Sequence, residues 1–130
     1  MSFTVLVVDD DPDDLEITRR ALAKVGCGET CLTACRGEDA LAFLRGCAEL
    51  PALILLDLKM PGMNGIDTLR HIRSDDRLKH IPVIIVTNST LESDRSAALA
   101  AGANAFLHKA FDLGQYGRDI QGQLERWVKD

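Results

Sequence analysis

The 130-residue chain lacks an apolar run of the ~18 residues that a membrane span needs, has no Cys-x-x-Cys among its four cysteines, and shows no cluster of Lys and Arg. Each absence removes a class of function. Without a span the chain is not expected to cross a membrane, and without paired cysteines or grouped histidines it has no obvious zinc set. Cys27, Cys31, Cys35 and Cys47 therefore read as reduced thiols. Period-two alternation puts Cys31 and Cys35 on one strand face, where they are expected to be buried as small apolar side chains. Fifteen dispersed basic residues against twenty acids, a net charge of −5, argue against a nucleic-acid or anionic-membrane partner. Met1-Ser2-Phe3-Thr4 leads straight into an apolar run with no signal-peptide pattern, so a cytoplasmic protein is expected. A chain of this length, 46% hydrophobic and 27% charged, leaves room for one globular domain spanning 1–130.

What the chain does contain is organised around Leu53-Ile54-Leu55-Leu56-Asp57, followed at once by Pro61-Gly62 and Asn64-Gly65. A continuous aliphatic run suits a strand covered on both faces, and in such parallel sheets chemistry sits at the carboxyl ends of strands. Asp57 stands at one of those ends. An acid beside a turn is by itself commonly a cap; other strand ends carrying matching chemistry change that reading. Thr4 to Val8 is an apolar run that ends in Asp9-Asp10-Asp11. Asp11 and Pro12 read as the N-cap and first position of a helix, with Asp13 and Asp14 suiting the positive end of its dipole. Asp9 and Asp10 come too early to cap anything. Two adjacent carboxylates repel, and a cation relieves that.

Gly26 closes the first helix, Glu29 to Cys35 reads as a second strand, and Gly37 to Leu44 as a second helix. The third helix follows Gly65, ends near Asp75-Asp76 and carries His71 as a partly buried residue. Ile81 to Val86 forms strand four, with Pro82 at its start where a missing donor is tolerated. It runs into Thr87-Asn88-Ser89-Thr90. Ser89 or Thr90 is expected to cap a fourth helix over Leu91 to Ala101, which leaves Thr87 as a polar group at a strand end. Ala103 to Leu107 is a short fifth strand, with Lys109 just beyond it and a last helix from Asp112. Five strands alternating with five helices through short connections predict an open α/β sheet, doubly wound and parallel, in the order 2-1-3-4-5. That order brings Asp9, Asp10 and Asp57 together, with Thr87 and Lys109 approaching from strands four and five. Three carboxylates offer hard oxygen ligands for magnesium, which keeps waters and phosphate oxygens in its remaining positions. A hydroxyl and an ammonium opposite them can bind phosphoryl oxygens. The implied reaction class is phosphoryl transfer to a carboxylate.

The ordered set Val-Val-Asp-Asp-Asp-Pro, Leu-Leu-Asp-Leu-Lys-Met-Pro-Gly-Met-Asn-Gly, Ile-Val-Thr-Asn-Ser, Ala-Gly-Ala-Asn-Ala-Phe and Lys-Ala-Phe resembles the receiver domains of two-component response regulators over essentially the whole chain. The resemblance implies a flavodoxin-like receiver fold with Asp57 as phosphoacceptor. It also implies magnesium held by Asp10, by Asp9 through water, by the Asp57 carboxylate and by the backbone carbonyl of Lys59. Thr87 would bind the phosphoryl group and move inward with it, Lys109 would pair with that group, and Phe106 occupies the aromatic switch position. The implied donor is the phosphohistidine of a sensor histidine kinase. The segments Leu-Lys-His-Ile-Pro-Val and Thr-Asn-Ser-x-x-Glu-x-Asp resemble those of single-domain regulators paired with phytochrome-type kinases. One position departs from the family, because Ala110 follows Lys109 where a cis proline is usual; a trans turn that shifts Lys109 is expected there.

Two other readings stand beside this one. A haloacid-dehalogenase-like phosphatase also uses an aspartate and magnesium, but wants a second acid where Lys59 stands. A receiver fold kept only as a binding module is the other. Along the last helix, Leu113, Ile120 and Leu124 form the stripe expected to face the sheet. Tyr116 and Trp127 share one edge of it, where they either cover the core margin or form the patch of a homodimer.

Overall fold

The computed structural model describes residues 3–26, 30–109 and 112–128, with the side chain of Leu113 left aside. Among them run β1 (Val5–Val8), α1 (Pro12–Lys24), β2 (Cys31–Ala34), α2 (Gly37–Gly46), β3 (Leu53–Asp57), α3 (Gly65–Ser74), β4 (Val83–Thr87), α4 (Glu92–Ala100), β5 (Ala105–His108) and α5 (Leu113–Trp127). All strand pairs are parallel and the order is β2-β1-β3-β4-β5, as the sequence predicts. The three central strands are aliphatic on both faces because helices cover both. Leu6, Val8, Ile54, Leu56, Val83 and Ile85 pack with α2, α3 and α4 through Leu41, Leu44, Leu69, Ile72 and Ala98. The alternate residues Val5, Val7, Leu53, Leu55, Ile84 and Val86 pack with α1 and α5 through Ala21, Leu22, Tyr116, Ile120 and Leu124. Period-two alternation thus sorts each strand between two cores. No helix among the described residues is long and apolar enough to cross a membrane.

Helix starts follow local chemistry where a side chain is in position. The Asp11 carboxylate accepts the N–H groups of Asp13 and Asp14, and Pro12 occupies the first helical position. Asn64 and Asp112 cap α3 and α5 in the same way. At α4 the expectation fails. Leu91 occupies the cap position without a side-chain bond, because Ser89 lies two residues ahead of it. The Ser89 hydroxyl accepts from the Leu91 N–H at 3.2 Å and donates to Asp94 Oδ2 at 2.5 Å, tying the loop to the first turn of α4.

Other expectations also need correction. Strand β2 ends at Ala34, so Cys35 falls in the loop and is exposed, while Cys31 is only half-buried on this edge strand. His71 is exposed, one step round α3 from the inward Thr68, Leu69 and Ile72. Strands four and five begin at Val83 and Ala105, two residues later than their patterns suggest. Tyr116 is no edge residue. It is 1% exposed, and its hydroxyl meets the Thr18 hydroxyl at 2.9 Å between α1 and α5. It offers nothing to a second copy, and the proposed aromatic patch shrinks to Trp127, half-buried with its indole N–H on Gln123. Cys27, Glu29 and Ala110, with the expected turn after Lys109, lie outside the described residues.

Candidate functional site

Four strands deliver polar groups to one end of the sheet. Val8 pairs with Leu56, so Asp9 comes off β1 beside the end of β3, where Asp57 pairs with Val86. Thr87 ends β4, and the Lys109 N–H extends the β4–β5 ladder by donating to the Thr87 carbonyl at 2.7 Å. The loop after β3 turns back over Asp57. Its Gly65 N–H donates to the Leu58 carbonyl at 2.9 Å, and a Cβ on Gly65 would stand 2.3 Å from the Asp57 carbonyl oxygen. Only glycine fits that approach, and Gly62, at φ +73°, supplies the left-handed turn before it. Asp10, Asp57, Lys59, Thr87, Ser89 and Lys109 all line the resulting cleft of about 410 Å³.

The buried polar groups of this end are Asp9, Asp57, Thr87 and Lys109, none more than 8% exposed. Lys109 Nζ donates to Asp9 Oδ2 at 2.7 Å and to Asp14 Oδ2 at 2.8 Å, and lies 3.4 Å from Asp57 Oδ1. One ammonium thus serves three carboxylates, with exposed Asp10 beside them. Burial pushes the Asp57 carboxyl up to about 7, and the neighbouring Asp9 charge adds to the rise that Lys109 opposes. Asp9 is raised as well, again by burial first, against the hydrogen bonds from Lys109 and the Asp11 N–H. Burial alone would lower the Lys109 ammonium; hydrogen bonds to Asp14 and Asp9 and the charge of Asp57 outweigh it and raise it.

One carboxylate oxygen from each of Asp9, Asp10 and Asp57 lies within 4.8 Å of the others, and Asp9, Asp10 and Asp57 are hard donors of the kind that small dications take. A divalent ion fits the charge as well as the geometry, since these carboxylates outnumber the one ammonium. On the other side of the cleft the Thr87 hydroxyl accepts the Ser89 N–H at 3.1 Å. The exposed Lys59 ammonium lies 3.7 Å from Asp94. His108 Nε2 donates to the Asn88 carbonyl at 3.1 Å, joining the end of β5 to the loop after Thr87.

The structure therefore gathers Asp9, Asp10, Asp57, Lys59, Thr87 and Lys109 in one place. Phe106 is not among them: it is half-buried against the core shared by α2, α3 and α4. Asp14 joins the site through Lys109 and Asp94 through Ser89 and Lys59, although the sequence marks Asp14 only as an acid at the start of a helix. A signal for Asp14 existed, because Asp14, Thr18, Ala21 and Leu22 continue one helical stripe, and the last three are buried. The mark of Asp94 is its place at the end of the Thr-Asn-Ser-x-x-Glu-x-Asp segment.

Comparison with known proteins agrees with this geometry. Residues 5–120 match the family described as the response regulator receiver domain. Chemotaxis protein CheY1 of Helicobacter pylori is 37% identical over 107 residues, covering 82% of this chain and 85% of that protein. The crystal structure of the phosphorylated cyanobacterial phytochrome response regulator RcpA superposes with a TM-score of 0.87 at 30% identity, covering 99% of this chain and 96% of RcpA. The Mn²⁺-bound form of response regulator Rcp1 gives 0.83 at 28% identity, with 98% and 96% covered. The doubly wound fold, the acidic cluster at its switch point and the match over nearly the whole length lead to one conclusion: this chain belongs to the response regulator receiver domains of two-component signalling.

Proposed function

We propose that Asp57 accepts a phosphoryl group from the phosphohistidine of a sensor histidine kinase in a magnesium-dependent reaction. The observation that carries this reading is the Asp57 carboxylate itself, buried at the end of β3, open to the cleft and 3.4 Å from Lys109 Nζ. Residues 1–130 act as one receiver unit. Likeness to RcpA supports a kinase of the phytochrome type as partner. The phosphorylated chain then signals through protein contacts or passes the group on in a phosphorelay.

Asp57 attacks the phosphorus atom with one carboxylate oxygen, the P–N bond breaks, and its electron pair returns to the imidazole nitrogen. The acceptor must be ionised, and with its carboxyl held at about 7 the chain keeps part of it protonated near neutrality. Asp9, Asp10, Asp57 and the backbone carbonyl of Lys59 would hold magnesium, which supplies positive charge to the phosphoryl oxygens and favours the ionised acceptor. Lys109 supplies the charge on the chain's side, and its third N–H is available to the transferred group. The Thr87 hydroxyl, which now accepts the Ser89 N–H, turns inward to a phosphoryl oxygen, and Phe106 follows it as the switch. Lys59 and Ser89 stand at the mouth of the cleft, where they screen the phosphoryl group from water and set its lifetime.

The test is direct. With a small phosphodonor such as acetyl phosphate and magnesium, the wild type takes up acid-stable, hydroxylamine-labile phosphate, and Asp57→Asn takes up none. Asp10→Ala requires more magnesium for the same uptake. Undiminished uptake by Asp57→Asn would overturn the assignment, and uptake without any divalent ion would remove the metal.

A further inference from the structure

We infer that Asp14 is a positioning residue, which keeps Lys109 in the site when Asp9 turns to a divalent cation. The inference rests on the reading of Asp57 just given and concerns a residue which that reading leaves unused. Lysine has three N–H donors. Two are committed, to Asp9 Oδ2 at 2.7 Å and Asp14 Oδ2 at 2.8 Å, and Asp57 Oδ1 lies at 3.4 Å.

The two committed partners differ in what else they do. Asp9 has both oxygens in use, Oδ1 accepting the Asp11 N–H at 3.0 Å and Oδ2 the ammonium, and it is also one of the three acids able to converge on a cation. A dication at that cluster draws on Asp9 and repels the ammonium beside it. Asp14 lies outside the cluster and keeps its hold. Its backbone is fixed on both sides. The Asp11 carboxylate receives its N–H, and one turn further on Thr18 is bonded to buried Tyr116 of α5. Lys109 thus has one anchor that a cation can claim and one that it cannot, and the second keeps the third N–H aimed at Asp57. Asp13, its exposed neighbour in the same turn, makes no such contact among the described residues.

The experiment reads Lys109 itself: acetylation by an amine-reactive reagent, followed by peptide mass spectrometry, with and without magnesium. In the wild type Lys109 stays protected in both conditions. In Asp14→Asn it stays protected without magnesium, where Asp9 suffices, and is acetylated several-fold faster once magnesium is added. Asp14→Glu, which keeps the charge, restores protection, and Asp13→Asn behaves as wild type. Asp14→Ser serves in the same way should the amide variant fold poorly. Protection of Lys109 in magnesium-loaded Asp14→Asn overturns the inference, as does faster acetylation that is equal with and without magnesium, the mark of a plain packing role. Phosphoryl uptake by the wild type is measured alongside. Its failure condemns the Asp57 reading, whereas normal uptake with magnesium-independent Lys109 labelling in Asp14→Asn condemns the role of Asp14 alone.

Discussion

Two cations hold opposite ends of this sheet, and they are satisfied in opposite ways. At the amino ends of the strands, Arg73 donates to the Gly102 carbonyl at 2.9 Å, the Lys79 and Ile81 carbonyls at 3.1 and 2.8 Å, and Asn104 Oδ1 at 2.8 Å. Asn104 Oδ1 in turn accepts the Val83 N–H at 2.9 Å. Every partner is a neutral dipole fixed by the backbone or by a packed side chain. At the carboxyl ends Lys109 meets three carboxylates, two of which, Asp9 and Asp57, belong to the cluster that can converge on a cation. The planar guanidinium suits a set of carbonyls that never changes, and the ammonium suits partners that do. One end is finished by the chain alone. The other carries more negative charge than the chain neutralises, and under the proposed function that excess is what a dication and a phosphoryl donor complete.

The largest effect on stability is expected at the finished end. Arg73→Ala removes four hydrogen bonds and strands their acceptors, so urea unfolding should show a loss of about 2 to 4 kcal/mol. Arg73→Lys should recover less than half of it, for want of the fork. The loss should be the same at pH 5 and pH 8, because no titrating partner is involved, and phosphoryl uptake by folded protein should be unchanged.

The next effect has the opposite sign and belongs to the unfinished end. With its carboxyl raised from 3.8 to about 7, Asp57 binds a proton more tightly in the folded chain than in the unfolded one. Stability must therefore fall as pH rises through that window, with the full penalty above it. Asp57→Asn should remove the penalty and gain about 1 to 3 kcal/mol at pH 8 in the absence of divalent ions, with the gain fading towards pH 4. A gain independent of pH would break the contrast between the two ends.

The smallest effect is expected at Lys59, whose ion pair with Asp94 is long at 3.7 Å and whose side chain is 70% exposed. Lys59→Ala should change stability by only ~0 to 1 kcal/mol. The decay rate of the phosphorylated protein should change more than that. An unchanged decay rate would remove Lys59 from the mechanism.

The finished and unfinished ends were not equally legible in the sequence. The apolar runs ending in Asp9, Asp57 and Thr87 announced the strands, their order and the chemical end of the sheet, because those patterns are local. The strand order also put Asp9 and Asp57 within reach of Lys109, but its third partner was not legible in that way. Asp14 was assigned to the helix dipole by position, a sufficient local account that hid its long-range one, and only the packing of α1 against the sheet brings it to Lys109. The Arg73 network was invisible for a similar reason: carbonyl acceptors leave no mark in a sequence. Tyr116 looked like an edge residue on a single-helix projection, and it became internal because α1 covers that edge and Thr18 offers its hydroxyl a partner.

The central claim, that the carboxyl end is short of positive charge until a dication arrives, is tested most directly by thermal unfolding at pH 8 with and without magnesium. At ten times the dissociation constant, linkage gives about 1.4 kcal/mol of stabilisation for a site present only in the folded chain, a rise of several degrees in Tm. The wild type and Arg73→Lys should both show that rise, and Asp57→Asn should show less than half of it. An equal rise in Asp57→Asn, or none in the wild type, would contradict the account.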